Sequence, residues 1–442
     1  MTKSEWLNAE LTKRPWLLNY WAVIAAFGTY FCMYMFRKPF AASSYSEAVM
    51  SDWDQKTMLV SAQLIGYLIA KVIGVQIVSE VSRENRAMVL LGLILSSHMA
   101  LLLFAVIPAP FHIIAIFLNG LPLGIVFGLV LGFLEGRRMT EALTAGLCAS
   151  FILAGGFSKT IGQWVLAFLS DTLSLSTIVA ERWMPFIAGL LFIVPLLISV
   201  WMLAQIPLPT DRDIVSRSKR NPMNRADRMN LLRNYGIGIG SVAVLYFLTT
   251  ILRCLRDDFA PEILLGMGAT VKPSAYSTID LSVATFVLVI NGLSVLVQNN
   301  KRALLMSFGI SFLGFVIIVC SLLLQSNALI SPVSFMVMVG AGLYLPYVAI
   351  HTTVFERMIA LTRDRGNIGF LMYVVDSLGY CGYVVMMIVR NFQPKSDASS
   401  ASQILSGFQW TCWISAGISF VFVAIAALYF SKMQATQTTD NA

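Results

Sequence analysis

Residues 207–234, PLPTDRDIVSRSKRNPMNRADRMNLLRN, form the longest polar stretch of a 442-residue chain and carry seven of its lysines and arginines. On each side of this stretch lie six runs of about 20 or more mostly apolar residues, the length that a helix needs to cross a bilayer. The twelve predicted helices span 16–42, 57–79, 87–107, 111–134, 142–170, 184–206, 235–259, 275–297, 302–324, 331–355, 366–391 and 406–431. The pattern predicts an all-α membrane protein with twelve transmembrane helices in two six-helix, pseudo-symmetric bundles. The predicted domains are an N-terminal bundle at 1–206, a cytoplasmic basic linker at 207–234 and a C-terminal bundle at 235–442.

The composition indicates a lipid environment and argues against other classes of protein. Hydrophobic residues make up 57% of the chain and charged residues 12%, against about 45–50% and about 25% in soluble domains. The net charge of +8 is spread over short segments between apolar runs, without the basic face of a nucleic-acid-binding protein. The six cysteines lie within apolar runs and the three histidines in separate segments, so we expect no disulfide, no metal site, no cofactor and no nucleic-acid partner.

The distribution of Lys and Arg predicts the orientation in the membrane. With a cytoplasmic N-terminus, the inside segments hold 20 of these residues, the outside loops 4 and the apolar runs 7. Such an excess on one side fits the positive-inside rule and an even number of helices. We expect a multi-pass, monomeric protein of the plasma (inner) membrane, with an uncleaved first helix and both termini in the cytoplasm.

The two halves of the sequence also repeat each other. Arg86-Ala87 opens the third helix and Arg302-Ala303 opens the ninth, and Arg37 and Arg253 are separated by the same offset. Parallel repeats of this kind are typical of carriers whose halves are related by an axis along the membrane normal. The repeat predicts a central cavity between the bundles.

Four short segments stand out, at 34–40 (YMFRKPF), 70–74 (AKVIG), 251–261 (ILRCLRDDFAP) and 343–346 (LYLP). They resemble motifs of the organophosphate:phosphate antiporter family of the major facilitator superfamily. Residues 34–40 (YMFRKPF) are similar to that family's aromatic run ending in Arg-Lys-x-Phe, and 70–74 (AKVIG) to its Ser-Lys-Phe-x-x-Gly. The stretch 251–261 (ILRCLRDDFAP) resembles its Leu-Leu-Arg followed by Asp-Trp-Ser-Pro, and 343–346 (LYLP) is also family-like. Residues 78–86 (VSEVSRENR) depart from the superfamily signature between helices 2 and 3, which leaves the substrate open.

This resemblance implies that Arg37 and Arg253 bind substrate phosphate across the interface of the halves. Two guanidinium groups can each offer paired N–H donors to a tetrahedral oxyanion, whereas a lysine acts as a point charge. The residues themselves also allow two structural explanations. Arg253 and Asp257, four residues apart, could neutralise each other on one helix face, and Arg37 could extend to the membrane surface.

Other ionisable residues in the apolar runs complete the candidate site, because such residues usually face a cavity or a partner. Six of the seven cations in these runs, those at mid-span, face three carboxylates, at 257, 258 and 376, which predicts a cavity that favours an anion. Lys71 and Lys159 either line the cavity or meet a distant carboxylate, and Asp376 either binds a proton, positions a lysine or forms a structural pair. The predicted substrate-binding residues are Arg37, Arg253, Lys71, Lys159, Lys38, Tyr34, Tyr344 and Asp376.

The sequence thus predicts a secondary active transporter of a small organic anion that works by alternating access. The resemblance points to a phosphate ester exchanged for inorganic phosphate. Two alternatives stay open, namely a major facilitator carrier of another solute such as an organic acid, and a membrane sensor that does not transport. We expect no enzyme, because no nucleophile–base–orienter set is visible.

Overall fold

The computed structural model describes residues 8, 10–45, 55–109, 111–134, 140–208, 225–362, 368–391 and 400–433. The described residues are almost wholly helical and contain no strand. A helix satisfies its own backbone hydrogen bonds, which is what a segment in lipid requires. We number the long helical segments α1 (Pro15–Met35), α2 (Gln55–Glu80), α3 (Arg83–Val106), α4 (His112–Leu134), α5 (Thr140–Ala167), α6 (Thr177–Ala204), α7 (Arg225–Asp258), α8 (Ser274–Val295), α9 (Asn300–Ser326), α10 (Pro332–Leu361), α11 (Ile368–Asn391) and α12 (Ser400–Lys432).

These segments confirm the predicted all-α membrane fold. Within the described residues, eleven of them are long and apolar enough to cross a membrane, and α11 is the twelfth segment of the pattern. Their outer surfaces carry large exposed apolar side chains such as Trp16, Ile198 and Trp410. Because lipid is the solvent for these faces, apolar exposure is the expected outcome.

Several helix ends differ from the prediction for local reasons. The first helix ends at Met35, and residues 39–42 form a separate 3-10 turn, because Pro39 lacks the N–H that would continue the helix. The seventh helix begins at Arg225, inside the predicted linker, since a helix that passes into water need not stop at the membrane surface. The rest of that linker, at 209–224, lies outside the described residues.

Helices α4 and α10 each contain an irregular turn close to a proline. α4 is interrupted between Leu123 and Val126, directly after Pro122. α10 carries Pro346 and then a π-helical turn at Ile350–Val354. Turns of this kind are frequent at functional sites, because they redirect side chains and release backbone groups.

The first six helices meet the last six mainly through two helix pairs, α5 with α8 and α2 with α11. Glycine allows the first pair to approach closely, since a Cβ on Gly156 of α5 would lie 2.1 Å from the carbonyl oxygen of Tyr276 on α8. Gly120 of α4 has the same role against Gln63 of α2, where the distance is also 2.1 Å. We call the end of the bundle toward which α1 runs the outer end. The opposite end, where α1 begins, is the inner end.

Candidate functional site

Arg37 lies in the middle of the bundle, just after the end of α1. Its side chain is 1% exposed, and its guanidinium carbon lies 3.8 Å from the centre of the Tyr67 ring. Tyr67 is the 13th of the 26 residues of α2, which places the guanidinium near half depth. The structure therefore excludes the alternative in which Arg37 extends to the membrane surface.

Arg253 of α7 occupies the equivalent place in the other half. Its Nη2 donates a hydrogen bond of 2.8 Å to the hydroxyl of Tyr380, the 13th of the 24 residues of α11. The rings of Tyr67 and Tyr380 are 4.9 Å apart across the interface of the halves. Arg37, Tyr67, Tyr380 and Arg253 thus form one continuous group, which we call the arginine centre. The predicted Tyr34 is buried in the first half, with its ring 5.6 Å from that of Tyr30.

Within the described residues, neither arginine of this centre contacts a carboxylate. The Nε atom of Arg37 and the Nε atom of Arg253 are both buried without a hydrogen-bond partner. Asp257, which could have neutralised Arg253 on the same helix, accepts its hydrogen bond from a lysine of the other half instead. The predicted pairing of Arg253 with Asp257 is therefore not formed in this structure.

An ionic layer covers the arginine centre on its outer side. Lys38 binds Asp258, with Asp257 3.4 Å away, and Lys159 donates a bond of 2.6 Å to Asp257. Tyr383 donates to the other oxygen of Asp258 at 3.1 Å. Since the lysines belong to the first six helices and the aspartates to α7, this layer holds the two halves together one helical turn outward of Arg253.

A further inter-half ion pair lies at the outer rim. Lys56, at the start of α2, binds Glu262 at 2.5 Å and the carbonyl oxygen of Ala41 at 2.8 Å. Lys56 directly precedes the predicted second helix and is one of the four cations of the predicted outside loops, but its side chain is 2% exposed. Thr160 of α5 donates a bond of 2.7 Å to the carbonyl oxygen of Pro273, which adds a second rim contact.

An aromatic layer covers the arginine centre on its inner side. Phe151 of α5 packs against Tyr347 of α10 at 5.6 Å, and Phe127 of α4 packs against His351 at 6.2 Å. The π-helical turn of α10 carries His351. The predicted Tyr344 is buried beside this layer, with its ring 6.1 Å from that of Tyr347.

Lys71 and Asp376 pair with each other across the interface, one turn inward of the two central tyrosines. The second oxygen of Asp376 accepts a hydrogen bond of 2.6 Å from the hydroxyl of Tyr246 on α7. Of the alternatives that the sequence left open for Lys71, the structure shows contact with a distant carboxylate. The same holds for Lys159, whose partner is Asp257.

Arg256 pairs with Asp280 of α8 at 3.0 Å. Asp280 is not one of the three carboxylates that the sequence predicts for the site. Asp280 lies only six residues after the start of its helix, a position that in the sequence is typical of a residue near the helix end. With it, the buried cations at 37, 38, 71, 159, 253 and 256 face four aspartates rather than three. Within the described residues, Arg37 and Arg253 are the two of these six cations that are left without a carboxylate.

A buried amide network fixes the turn that carries Arg37. Asn119 of α4 donates to the carbonyl oxygen of Phe36 at 2.9 Å, and Gln63 of α2 donates to that of Arg37 at 2.9 Å. Gln63 also donates to the side-chain oxygen of Asn119 at 2.7 Å. Gln63 does not stand out in the sequence, because an amide in an apolar run has no characteristic pattern.

The central tyrosines at 67 and 380 and the hydroxyl of Tyr246 were also missed. Aromatic residues are common in ordinary helix packing, so their positions in the sequence do not separate site residues from core residues. An i,i+4 spacing from the two charged residues Lys71 and Asp376 was the available signal for the two central tyrosines.

Comparisons with known proteins agree with this architecture. The family model of a family of unknown function, DUF5690, matches residues 39–433. No curated protein matches the sequence. Among solved structures, a D-xylose-proton symporter matches with a TM-score of 0.64 at 13% identity, over 95% of this chain and 98% of that one. A mutant of the nucleoside transporter NupG matches with a TM-score of 0.56 at 15% identity, over 92% and 99% of the two chains. The chain therefore has the fold of major facilitator transporters.

Proposed function

We propose that this chain, which belongs to the DUF5690 family and has the major facilitator fold, is a secondary transporter of a small anion. The matched solved structures are a sugar symporter and a nucleoside transporter, and their fold supports the general class. The charges at the centre of this chain support the choice of an anion.

One observation carries the proposal, namely that the two buried arginines have no carboxylate partner among the residues that the structure describes. A buried ion pair can balance its cost, but a buried charge without a counterion is strongly destabilising. The four buried cations around the arginine centre, at 38, 71, 159 and 256, are each paired with an aspartate. Arg37 and Arg253 therefore represent a surplus of two positive charges. A divalent anion between them would remove that surplus, and its oxygens would meet guanidinium N–H groups from both halves.

The layers around this centre suit alternating access. The ionic layer and the outer rim close the outer end, and the aromatic layer lies between the arginines and the inner end. Transport requires these two closures to open in turn while the halves rock around a fixed central site. We propose that residues 1–206 and 235–442 are the rocking units, that 207–234 is their cytoplasmic linker, and that the protein works as a monomer in the plasma membrane with both termini in the cytoplasm.

We propose a phosphate ester, taken up in exchange for inorganic phosphate, as the first substrate to test. Lys71 and Lys159 would add positive charge when their aspartates turn away, and Lys38, Tyr34, Tyr344 and Asp376 would line the same space. The resemblance of residues 34–40 and 251–261 to the organophosphate:phosphate antiporters motivates this choice.

The test is flux into liposomes that contain the purified protein. Labelled inorganic phosphate, glycerol 3-phosphate, sulfate and citrate are offered outside, with unlabelled anion inside. We expect exchange of at least one of these anions, and competition by phosphate distinguishes a phosphate carrier from an organic-acid carrier. Saturable binding of an anion without any flux would favour the sensor, and the absence of both binding and flux would defeat the proposal.

Two conservative substitutions test the arginines themselves. Arg37→Lys and Arg253→Lys keep the charge but lose the paired donors, and each hydrogen bond to a charged group is worth about 1.5–3 kcal/mol. Loss of one such bond lowers affinity roughly 10- to 100-fold, so we expect uptake at anion concentrations below the wild-type KM to fall by about that factor, with the helical content unchanged. Full transport by either variant would contradict the assignment of the arginines.

A further inference from the structure

Asp376 lies next to the arginine centre but takes no part in it. Tyr67 and Lys71 are four residues apart on α2, and Tyr380 and Asp376 are four residues apart on α11. Because α2 runs inward and α11 runs outward, both steps lead to the same side of the tyrosine pair. The Lys71–Asp376 pair is thus about one helical turn, roughly 5 Å, from the centre.

A row of hydrogen-bonding groups connects Asp376 with His351. The hydroxyl oxygen of Tyr246 lies 2.6 Å from Oδ1 of Asp376 and 3.3 Å from Nε2 of His351. The other ring nitrogen of His351, Nδ1, lies 3.0 Å from the carbonyl oxygen of Tyr347. The row therefore joins α11, α7 and α10 on the inner side of the arginines.

Counting hydrogens shows that this row has room for one more proton than its ordinary groups supply. The carbonyl of Tyr347 can only accept, so a hydrogen bond to it requires a hydrogen on Nδ1 of His351. The contacts of the Tyr246 oxygen with Asp376 and with His351 need one hydrogen each, whereas its third contact, with the Tyr347 hydroxyl, can use the hydrogen of Tyr347. An ionised aspartate, a tyrosine and a neutral histidine supply two hydrogens in total. The third hydrogen is present only when His351 or Asp376 binds a further proton, so the row offers a place where a proton can be taken up and released.

Several other charged and titratable groups lie around this row. Lys71 from α2 binds the second oxygen of Asp376, and its ammonium lies 5.0 Å from the ring centres of both Tyr67 and Tyr380. On α7, Arg253 lies 5.0 Å from the Tyr347 ring, and the Tyr347 hydroxyl lies 3.2 Å from that of Tyr246. Asp376 is the one carboxylate that bonds to this row among the described residues.

We infer that the His351–Tyr246–Asp376 row binds a transported proton, so that anion movement is coupled to proton movement. This inference rests on the proposed anion carrier and names its coupling ion. An anion between the arginines lies about one turn from the Asp376 carboxylate, and the two negative charges repel each other. A proton on the row removes the repulsion and releases Lys71 from Asp376, so that its ammonium can turn to the anion. When the anion leaves, Lys71 returns to Asp376 and the proton is discharged on the same side.

The test measures protons and anions together in the same liposomes. A pH-sensitive dye is enclosed, and the fastest anion of the flux screen (inorganic phosphate, glycerol 3-phosphate, sulfate or citrate) is added outside. We expect the wild-type protein to acidify the lumen during uptake and to accumulate the anion when the outside is made acidic. Asp376→Asn should lower the number of protons that enter per anion. Exchange of labelled for unlabelled anion, which needs no net proton movement, measures how much anion transport the variant retains. Protons that the anion itself takes up or releases are the same for the wild-type protein and for Asp376→Asn. The difference in proton entry between the two proteins therefore measures the protons that the chain carries.

Two further variants keep the result interpretable. Lys71→Gln combined with Asp376→Asn removes the unpaired lysine that the single change leaves buried, and should also lower the number of protons per anion. Arg256→Gln combined with Asp280→Asn removes a buried ion pair within the second half, and should keep the wild-type ratio of protons to anions. The ratio, rather than the rate, is compared, because altered folding yield changes the rate alone.

The outcomes separate the inference from the function on which it rests. Anion exchange without proton movement in the wild type would overturn the coupling and leave the carrier standing. Wild-type ratios in both Asp376 variants would overturn the role of this row, and no anion movement at all would overturn both proposals. Infrared difference spectra of the wild-type protein give a readout that needs no variant, since the binding of the anion should change the bands of a protonated carboxyl or imidazole group.

Discussion

Asn119 shows how a single buried amide can control the position of a functional arginine. It donates to the carbonyl oxygens of Phe36 and Ser97 and accepts from Gln63, with distances between 2.7 and 3.0 Å. Asn119→Leu keeps the approximate size but leaves these partners unpaired, at about 1–3 kcal/mol for each buried group. We expect a lower melting temperature in detergent and a raised KM for anion uptake, because the turn before Arg37 loses its support.

Ser311→Ala is the matched control for this substitution. Ser311 is equally buried, but its hydroxyl donates to the carbonyl of Ser307 on its own helix at 2.8 Å. Its loss should leave the KM unchanged and lower the melting temperature much less than Asn119→Leu. Equal effects of the two changes would show that the amide network has no special relation to Arg37.

At the scale of residues, the sequence could predict which cations matter but not how they are paired. Arg37 and Arg253 stand out because a guanidinium in an apolar run is costly and because the two share a repeat offset. Their tyrosine neighbours are indistinguishable from packing residues in the sequence. The partner of Lys71 is 305 positions away, and no local rule sets the register between helices of different halves.

At the scale of helices, close approach of α5 and α8 depends on Gly156. The Cβ of an alanine there would lie 2.1 Å from a backbone oxygen and 2.7 Å from a backbone carbon of Tyr276, so the two helices must move apart. Gly156→Ala should lower the melting temperature and weaken the outer closure. Gly309→Ala is the control, since no atom lies within 4 Å of its Cβ, and alanine in an open helix position is favourable by about 0.5–1 kcal/mol.

A thermal unfolding series in detergent distinguishes these two changes. If Gly156→Ala unfolded at the wild-type temperature, the α5–α8 contact would not be a close-packed interface.

The sequence predicted the helices well because apolar length is a strong signal, but it did not predict this contact or the π-helical turn at Ile350–Val354. Both arise from packing between helices, which leaves no period in the sequence.

At the scale of the whole molecule, charge and aromatic packing are arranged in layers along the membrane normal. Ion pairs between the halves lie at the outer rim and one turn outward of Arg253. On the inner side, the part of the chain that the structure describes has aromatic contacts and one ion pair between the halves. Ion pairs can break into water-exposed charges when a cavity opens, whereas aromatic contacts separate without leaving charges unpaired. The arrangement predicts that the outer closure is the more sensitive of the two to charge substitutions.

Lys56 and Glu262 provide the direct test of this outer closure. Lys56→Glu places two carboxylates at the rim, and like charges repel, so the outer end should open more often. Cys254 reports on the opening, since its sulfur is buried 3.5 Å from Nη2 of Arg253 and an anionic, membrane-impermeant thiol reagent reaches it only through an open outer end. We expect faster labelling of Cys254 from outside in Lys56→Glu, and protection by the transported anion.

The exchanged pair, Lys56→Glu with Glu262→Lys, should return labelling to the wild-type rate because the attraction is restored with the charges reversed. Cys254→Ser identifies the labelled thiol, and unchanged labelling in Lys56→Glu would show that this ion pair does not keep the halves closed.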